Sequence, residues 1–325
     1  MRVRLITRRR SLLLAATALT ALVALNVLAF MHARSMTRFV DAGPRPSRPD
    51  EMSRGEKLKA LFFGVNIPKP RNTATPADHY LTFETLCFPT ARGLECEAWH
   101  VPCDGAKGIC LLFHGYASSK ESVLDTAEAW HALGYDALLV DFHGSGGSTG
   151  NDTTVGYHEA DDVAAALDYA RTQWPDLPQV LYGWSMGSAA ILRALAVHGV
   201  EPVAVVLECP FDRLRSAIAN RCELVGIPAF PVADLLVFWG GVQQGYSGFG
   251  HNPVDYATKV ECPVLMLQGR LDRRVTPEQA KAVFDNLRCR KQLVWFDDVA
   301  HGPFLAGGAE LWRLSVEDFL VLAEK

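Results

Sequence analysis

The run Leu181 to Ala190, LYGWSMGSAA, holds one serine between two glycines: Gly183-Trp184-Ser185-Met186-Gly187. A strand-like stretch, QVLYGWS, leads up to it and a helix-like stretch, MGSAAILRALAVHG, leads away. At such a turn a serine can point its hydroxyl out of a sheet. Glycines two before and two after leave room for the tight backbone, and the new helix aims its N-terminal amides where negative charge would develop. This is a layout for attack on an acyl carbonyl. A serine hydroxyl is a weak nucleophile until a neighbouring base takes its proton, and that base needs an acid to hold it.

Three histidines follow Ser185 in the chain. His198 closes the helix after the serine and His251 sits in an aromatic, strandless region. His301 follows the last strand-like run in WFDDVAHGPF, beside Gly302, and is the expected base. The expected acid is Asp272, in the loop of LMLQGRLDRRVTPEQ; Asp297, Asp298 and Glu208 are the alternatives. Two backbone N–H groups should receive the oxyanion: that of Met186, after the nucleophile, and that of Tyr116, after the strand GICLLFHG. His114, at that strand's end, is read as structural. This chemistry calls for no metal and no organic cofactor. The glycine-rich DFHGSGGSTG is not a dinucleotide loop, because Thr149 stands where the third glycine belongs and no helix opens there. Asp141 and His143 are expected to hold that loop by hydrogen bonds rather than to bind metal.

The elements that must position these groups alternate from about residue 80. YLTFETLCF and LECEAWHVP suggest an opening hairpin. GICLLFHG, DALLVDFHG, QVLYGWS, PVAVVLECP, VECPVLMLQG and KQLVWFDDV are apolar strand-like runs separated by amphipathic stretches such as YHEADDVAAALDYARTQW and TPEQAKAVFDNL. Strands alternating with helices imply a mostly parallel sheet covered on both faces. Residues 212 to about 258 break this rhythm with AFPVADLLVFWGGVQQGYSGFGHNP, read as a cap inserted over the sheet edge where ligands bind. Phe230, Phe238 and Trp239 are its expected substrate-binding residues.

The N-terminus differs from the rest. MRVRLITRRR carries five arginines, and the next 20 residues carry no charge. At about 1.5 Å per residue such a stretch spans a hydrocarbon core of roughly 30 Å. It is longer than the apolar region of a cleaved signal peptide. The expectation is a basic cytoplasmic segment (1–10), a membrane anchor (11–31) and a Pro- and charge-rich tether (32–74), followed by the body (75–325). Arginine clusters stay cytoplasmic; the body would then lie outside, as on a bacterial inner membrane. With 32 basic and 36 acidic residues the net charge is -4, which gives no electrostatic reason to expect a nucleic-acid partner. The eight cysteines form no C-x-x-C pair. Cys87 and Cys96 would face each other if Ala91 and Arg92 formed the hairpin tip, permitting a disulfide; two reduced residues in a sheet are the alternative.

FHGYASS, DFHGSGGSTG, GWSMGS, QGRLDRRV and AHGPF, in that order, resemble the α/β-hydrolase superfamily, most of all its serine-aminopeptidase-like and monoacylglycerol-lipase-like members. The resemblance covers about residues 75 to 325. It implies an eight-stranded, mostly parallel sheet with helices on both faces and a small cap. It also implies Ser185 as nucleophile, Asp272 as acid, His301 as base, and Tyr116 and Met186 as oxyanion donors. His143 stands where many relatives have arginine. The expected activity is hydrolysis of a small acyl ester through an acyl-enzyme. A thioesterase, a short-peptide peptidase and a non-catalytic binding protein on the same fold are the rivals.

Overall fold

The structure, a computed structural model, describes residues 2–43, 53–91 and 93–323. Arg92, expected at the hairpin tip, and residues 44–52 of the expected tether lie outside the described residues. Eight strands follow one another: β1 (Glu84–Pro89), β2 (Glu95–Val101), β3 (Ile109–Phe113), β4 (Asp136–Val140), β5 (Gln179–Trp184), β6 (Ala204–Glu208), β7 (Val264–Gly269) and β8 (Lys291–Phe296). They form one sheet in the order β1-β2-β4-β3-β5-β6-β7-β8. β1 pairs antiparallel with β2, and β2 with β4; every later pairing is parallel. All residues of β3, β4, β6 and β7 are buried, which is why these runs read as unbroken apolar stretches.

Helices α1 (Arg2–Thr37) and α2 (Arg54–Phe63) precede the sheet. The others are α3 (Leu124–Ala132), α4 (Glu159–Gln173), α5 (Met186–Arg193), α6 (Leu214–Leu224), α7 (Ala229–Gln244), α8 (Pro253–Tyr256), α9 (Pro277–Asn286) and α10 (Phe304–Ala323). Successive strand residues point to opposite faces, so the core divides in two. Leu111, Phe113, Leu181 and Leu207 pack with Val163, Ile191 and Val283 of α4, α5 and α9. Cys110, Leu112, Tyr182 and Val206 pack on the other face with Trp130 of α3 and Trp312 and Phe319 of α10. Strand order reverses at β3, whose neighbours are β4 and β5, so the crevice where open sheets bind ligands lies at the C-terminal ends of β3 and β5. Tyr116 and Ser185 leave the sheet there.

The hairpin has a different register from the one a two-residue tip would give. Cys87 pairs with Glu97, and Cys96 pairs with Phe88. The loop is longer, with Thr90 N donating to Leu94 O at 2.8 Å and Gly93 N to Thr90 O at 3.1 Å. A slip of one residue puts the two cysteines on opposite faces: Cys87 is exposed, Cys96 buried, and all eight cysteines are free.

The N-terminal region is also corrected. α1 continues past the expected anchor to Thr37, and its stretch Ser11–Thr37, 27 residues, is long and apolar enough to cross a membrane. Residues 11–24 are exposed, whereas Ala29, Ala33 and Thr37 are buried, spaced four apart on one helical face. Part of the expected tether is docked on the body or folded on itself. Phe39 N donates to Asn151 O (2.6 Å), Val40 N to Ile67 O (2.9 Å) and Lys69 Nζ to Ser148 O (2.6 Å). Residues 54–63 form α2, started by a reciprocal Ser53–Glu56 cap. The insertion between β6 and β7 is helical: α6 and α7 pack against each other, and α7 packs along α1.

Candidate active site

β5 ends at Trp184 and α5 begins at Met186, so Ser185 alone makes the turn, at φ 53 and ψ -105. An L-residue held there costs about 1–3 kcal/mol and persists only where its surroundings hold it in place. They do. Ser185 N donates to Glu208 O at 2.8 Å, and Ser188 Oγ donates to Gly183 O (2.6 Å) and Glu208 O (2.9 Å). The flanking glycines are required by space. A Cβ on Gly183 would lie 2.6 Å from the backbone of Gly187 and Ser188, and one on Gly187 would lie 2.4 Å from Phe113 O.

The ends of β7 and β8 are stitched together beside this turn. Arg270 N donates to Phe296 O (2.9 Å) and Leu271 N to Val299 O (3.1 Å). A Cβ on Gly269 would collide with Val299 O at 2.2 Å, so only glycine lets the two loops approach this closely. The result brings Asp272 and His301 to Ser185. His301 Nδ1 lies 2.7 Å from Asp272 Oδ2, and His301 Nε2 lies 3.1 Å from Ser185 Oγ. Asp272 Oδ1 accepts from Arg274 N at 2.8 Å and Val275 N at 2.9 Å, which fixes the carboxylate. Asp272 is 2% exposed and Ser185 7%. The alternative acids point elsewhere. Asp297 pairs at the surface with Arg270 at 2.6 Å, Asp298 is exposed, and Glu208 Oε1 accepts from Trp312 Nε1 at 2.7 Å. His198 pairs with Asp161, and His251 is buried against Val155 O and Tyr256.

Met186 is the first residue of α5, directly after Ser185, so its N–H is one of the donors a helix start leaves unsatisfied. Tyr116 follows β3, whose Phe113 pairs with Gly183, so the two chains leave the sheet side by side. Its hydroxyl donates to Met36 O of α1 at 2.6 Å, and burial pushes its pKa up to about 12. His114 is structural, as expected: its Nε2 accepts from Phe142 N at 3.2 Å, and burial lowers its pKa.

Several polar residues lie buried behind the site. Lys120, fully buried, reaches Asp141 Oδ2 (2.5 Å) and Glu97 Oε1 (2.6 Å). Asp141 also accepts from Lys120 N (2.7 Å) and Gly147 N (2.9 Å), so it does hold the glycine-rich loop. His143 Nδ1 donates to Asp162 Oδ2 at 2.6 Å; burial works against its charge, but Asp162 and Glu159 outweigh this and hold its pKa at about 9. Burial raises Glu208 to about 7. Cys209, at φ 39, follows Glu208, and its thiol lies within 4.8 Å of the Asp272 and His301 ligand atoms. Burial drives its pKa far up, so it stays a neutral thiol, and both nitrogens of His301 are already engaged.

A partly open apolar cavity adjoins Tyr116. Its walls come from α1 (Ala33, Met36, Thr37), α6 (Leu214, Ile218, Arg221) and α7 (Leu236, Val237, Gly240, Gly241), with Val155 and Tyr246. The cap residues expected to bind substrate are placed elsewhere by the phase of α7. Phe230 is 75% and Phe238 48% exposed, and Trp239 faces α1, its Nε1 donating to Asn26 Oδ1 at 3.2 Å. Arg221 is the only charged side chain among the described lining residues. Its guanidinium lies 5.8 Å from the Tyr116 ring centroid, and burial lowers its pKa.

Comparison with known proteins agrees with this architecture. Residues 104–236 match the family model described as serine aminopeptidase, S33. The uncharacterised protein YqkD of Bacillus subtilis is 22% identical over 77% of this chain and 85% of its own length. A monoacylglycerol lipase of Mycolicibacterium smegmatis is 24% identical over 59% of this chain and 79% of its own. The crystal structure of the Pyrococcus furiosus esterase Pf2001 superposes with a TM-score of 0.64 at 22% identity, covering 79% of this chain and 98% of that one. The chain has the α/β-hydrolase fold. The match and these likenesses support a hydrolase, and one N-terminal apolar helix is long enough to cross a membrane.

Proposed function

We propose that the protein is a membrane-anchored serine esterase that cleaves carboxylic esters with an apolar acyl chain. The observation that carries this reading is the Ser185–His301–Asp272 relay, with its 3.1 and 2.7 Å contacts, beside an apolar cavity. His301 Nε2 takes the proton of Ser185 as Oγ attacks the ester carbonyl. Asp272 keeps the other nitrogen, Nδ1, protonated and stabilises the imidazolium that forms. The N–H groups of Met186 and Tyr116 receive the oxyanion, each such donor being worth about 3 kcal/mol in comparable sites. Collapse of the tetrahedral species expels the alcohol, which His301 protonates. Water, activated by the same histidine, then releases the acid. The arginine-rich start of the chain stays cytoplasmic and the body lies on the other side of the membrane.

The cavity's single charge disfavours the peptidase reading. An aminopeptidase must hold an α-ammonium, and Arg221 presents the same sign to it. The test is turnover of nitrophenyl esters and of amino-acid nitroanilides by the full-length chain, with Ser185→Ala alongside. Serine-dependent ester turnover without anilide cleavage is the expected result. Anilide cleavage alone would move the protein to the peptidases.

A further inference from the structure

We propose that the last turns of the membrane helix form one wall of the acyl-chain site, so that the substrate's tail passes into the enzyme from the bilayer. The inference rests on the ester-hydrolase reading and adds to it where the tail lies and where it comes from.

Ala33, Met36 and Thr37 of α1 line the cavity opposite Val237 and Gly240 of α7. α1 and α7 pack along each other. Polar contacts hold the seam. Trp239 Nε1 donates to Asn26 Oδ1 at 3.2 Å, and Gln243 Nε2 donates to Phe30 O at 2.9 Å. The Phe30 and Trp239 rings meet edge-on at 5.4 Å. Donors and acceptors beside an apolar phase are costly to leave unpaired, so this docking persists in a membrane.

The outer side of the seam is apolar as well. Val27 and Phe30 of α1, and Phe238 and Val242 of α7, are exposed. The α1 residues belong to the apolar stretch long enough to span, so the α7 residues beside them continue the lipid-facing surface onto the cap. At its inner end the cavity meets Tyr116. That residue's ring lines the cavity, its hydroxyl is bonded to Met36 O, and its backbone emerges beside Ser185. Tail site and reacting end therefore share one residue.

Gly240 gives a direct test, because a Cβ there meets nothing within 4 Å and a larger side chain grows into the open space. The full-length protein in phosphatidylcholine vesicles is assayed on nitrophenyl esters from acetate to dodecanoate. Each methylene buried in the cavity should raise kcat/KM roughly fourfold. Gly240→Leu and Ala33→Leu fill the cavity from opposite walls, and each should lower the dodecanoate-to-acetate ratio of kcat/KM about tenfold or more. A ratio unchanged within about twofold in both variants overturns the proposal, while acetate turnover abolished by Ser185→Ala would leave the esterase reading standing. If the wild type hydrolyses no ester, that reading fails and the cavity is tested by binding. A diazirine-bearing fatty alcohol should crosslink to Val237, which is 1% exposed and out of reach of bulk lipid, and lose that crosslink in Gly240→Leu. Crosslinks confined to the outer faces of α1 and α7 would overturn the proposal.

Discussion

Replacing Asp272 by Asn keeps the shape of the side chain and reverses one donor–acceptor relation. The carboxylate's Oδ1 accepts from Arg274 N (2.8 Å) and Val275 N (2.9 Å), while Oδ2 faces His301 Nδ1 at 2.7 Å. An amide has one oxygen to offer. Turned toward His301, it would leave its NH₂ against two backbone donors at a site only 2% exposed, costing about 1–3 kcal/mol for each stranded donor. The oxygen therefore stays with the backbone and the NH₂ faces His301. Nδ1 must then accept, Nε2 must carry the proton, and that proton points at Ser185 Oγ, 3.1 Å away. The histidine can no longer act as base. Inverting the tautomer in this way lowers kcat by about 10⁴, or roughly 5 kcal/mol. Asp272 does not line the cavity, so KM should stay within about threefold. The assay is steady-state hydrolysis of a short nitrophenyl ester, with thermal unfolding recorded alongside. A folded Asp272→Asn protein retaining more than about a tenth of wild-type kcat would refute the assignment of Asp272.

The other predictions concern the frame around the relay. Gly183→Ala and Gly187→Ala each drive a Cβ into backbone at 2.6 and 2.4 Å, and should cost on the order of 1–3 kcal/mol or more and most of the activity, read by unfolding and kcat together. Glu208 is held near 7, against an ordinary value of 4.5, so the fold favours its protonated form. Below pH 4.5 it costs nothing; between 4.5 and 7 stability falls, by about 3 kcal/mol once ionisation is complete. Glu208→Gln should therefore melt higher than the wild type at pH 8 and level with it at pH 4.5, and a gap independent of pH would contradict this. Lys120→Met leaves the fully buried Asp141 without its cation and should destabilise the protein by about 3–5 kcal/mol in denaturant unfolding.

The parts of the site that chemistry forces were readable from the chain. A serine in a strained strand-to-helix turn needs glycines at fixed spacing, and the chain order of acid and base follows once the sheet is parallel. The acid and the base each sit on a loop after its own strand, so Asp272 and His301 could be picked out from their neighbours. Other features depend on facts no local pattern carries. The register of the first hairpin turns on loop length, and one residue separates facing cysteines from cysteines on opposite faces. Which face of α7 meets the cavity is set by how α1 packs on it, so its aromatics read as lining while Val237 and Gly240 do the lining. Nothing local marks Lys120 as buried, because its partners, Glu97 and Asp141, lie on other strands and loops. The tether read as polar and Pro-rich, yet its described backbone pairs with the body at Arg38 and Phe39, contacts invisible without the tertiary fold.

The most direct test of the central claim is covalent. The full-length protein is treated with a fluorophosphonate ester, digested and mapped by mass spectrometry. The account predicts one phosphonylated residue, Ser185, with labelling lost in Ser185→Ala and strongly slowed in Asp272→Asn. A folded protein that hydrolyses esters while Ser185 stays unmodified, or that labels equally well after Ser185→Ala, would contradict it.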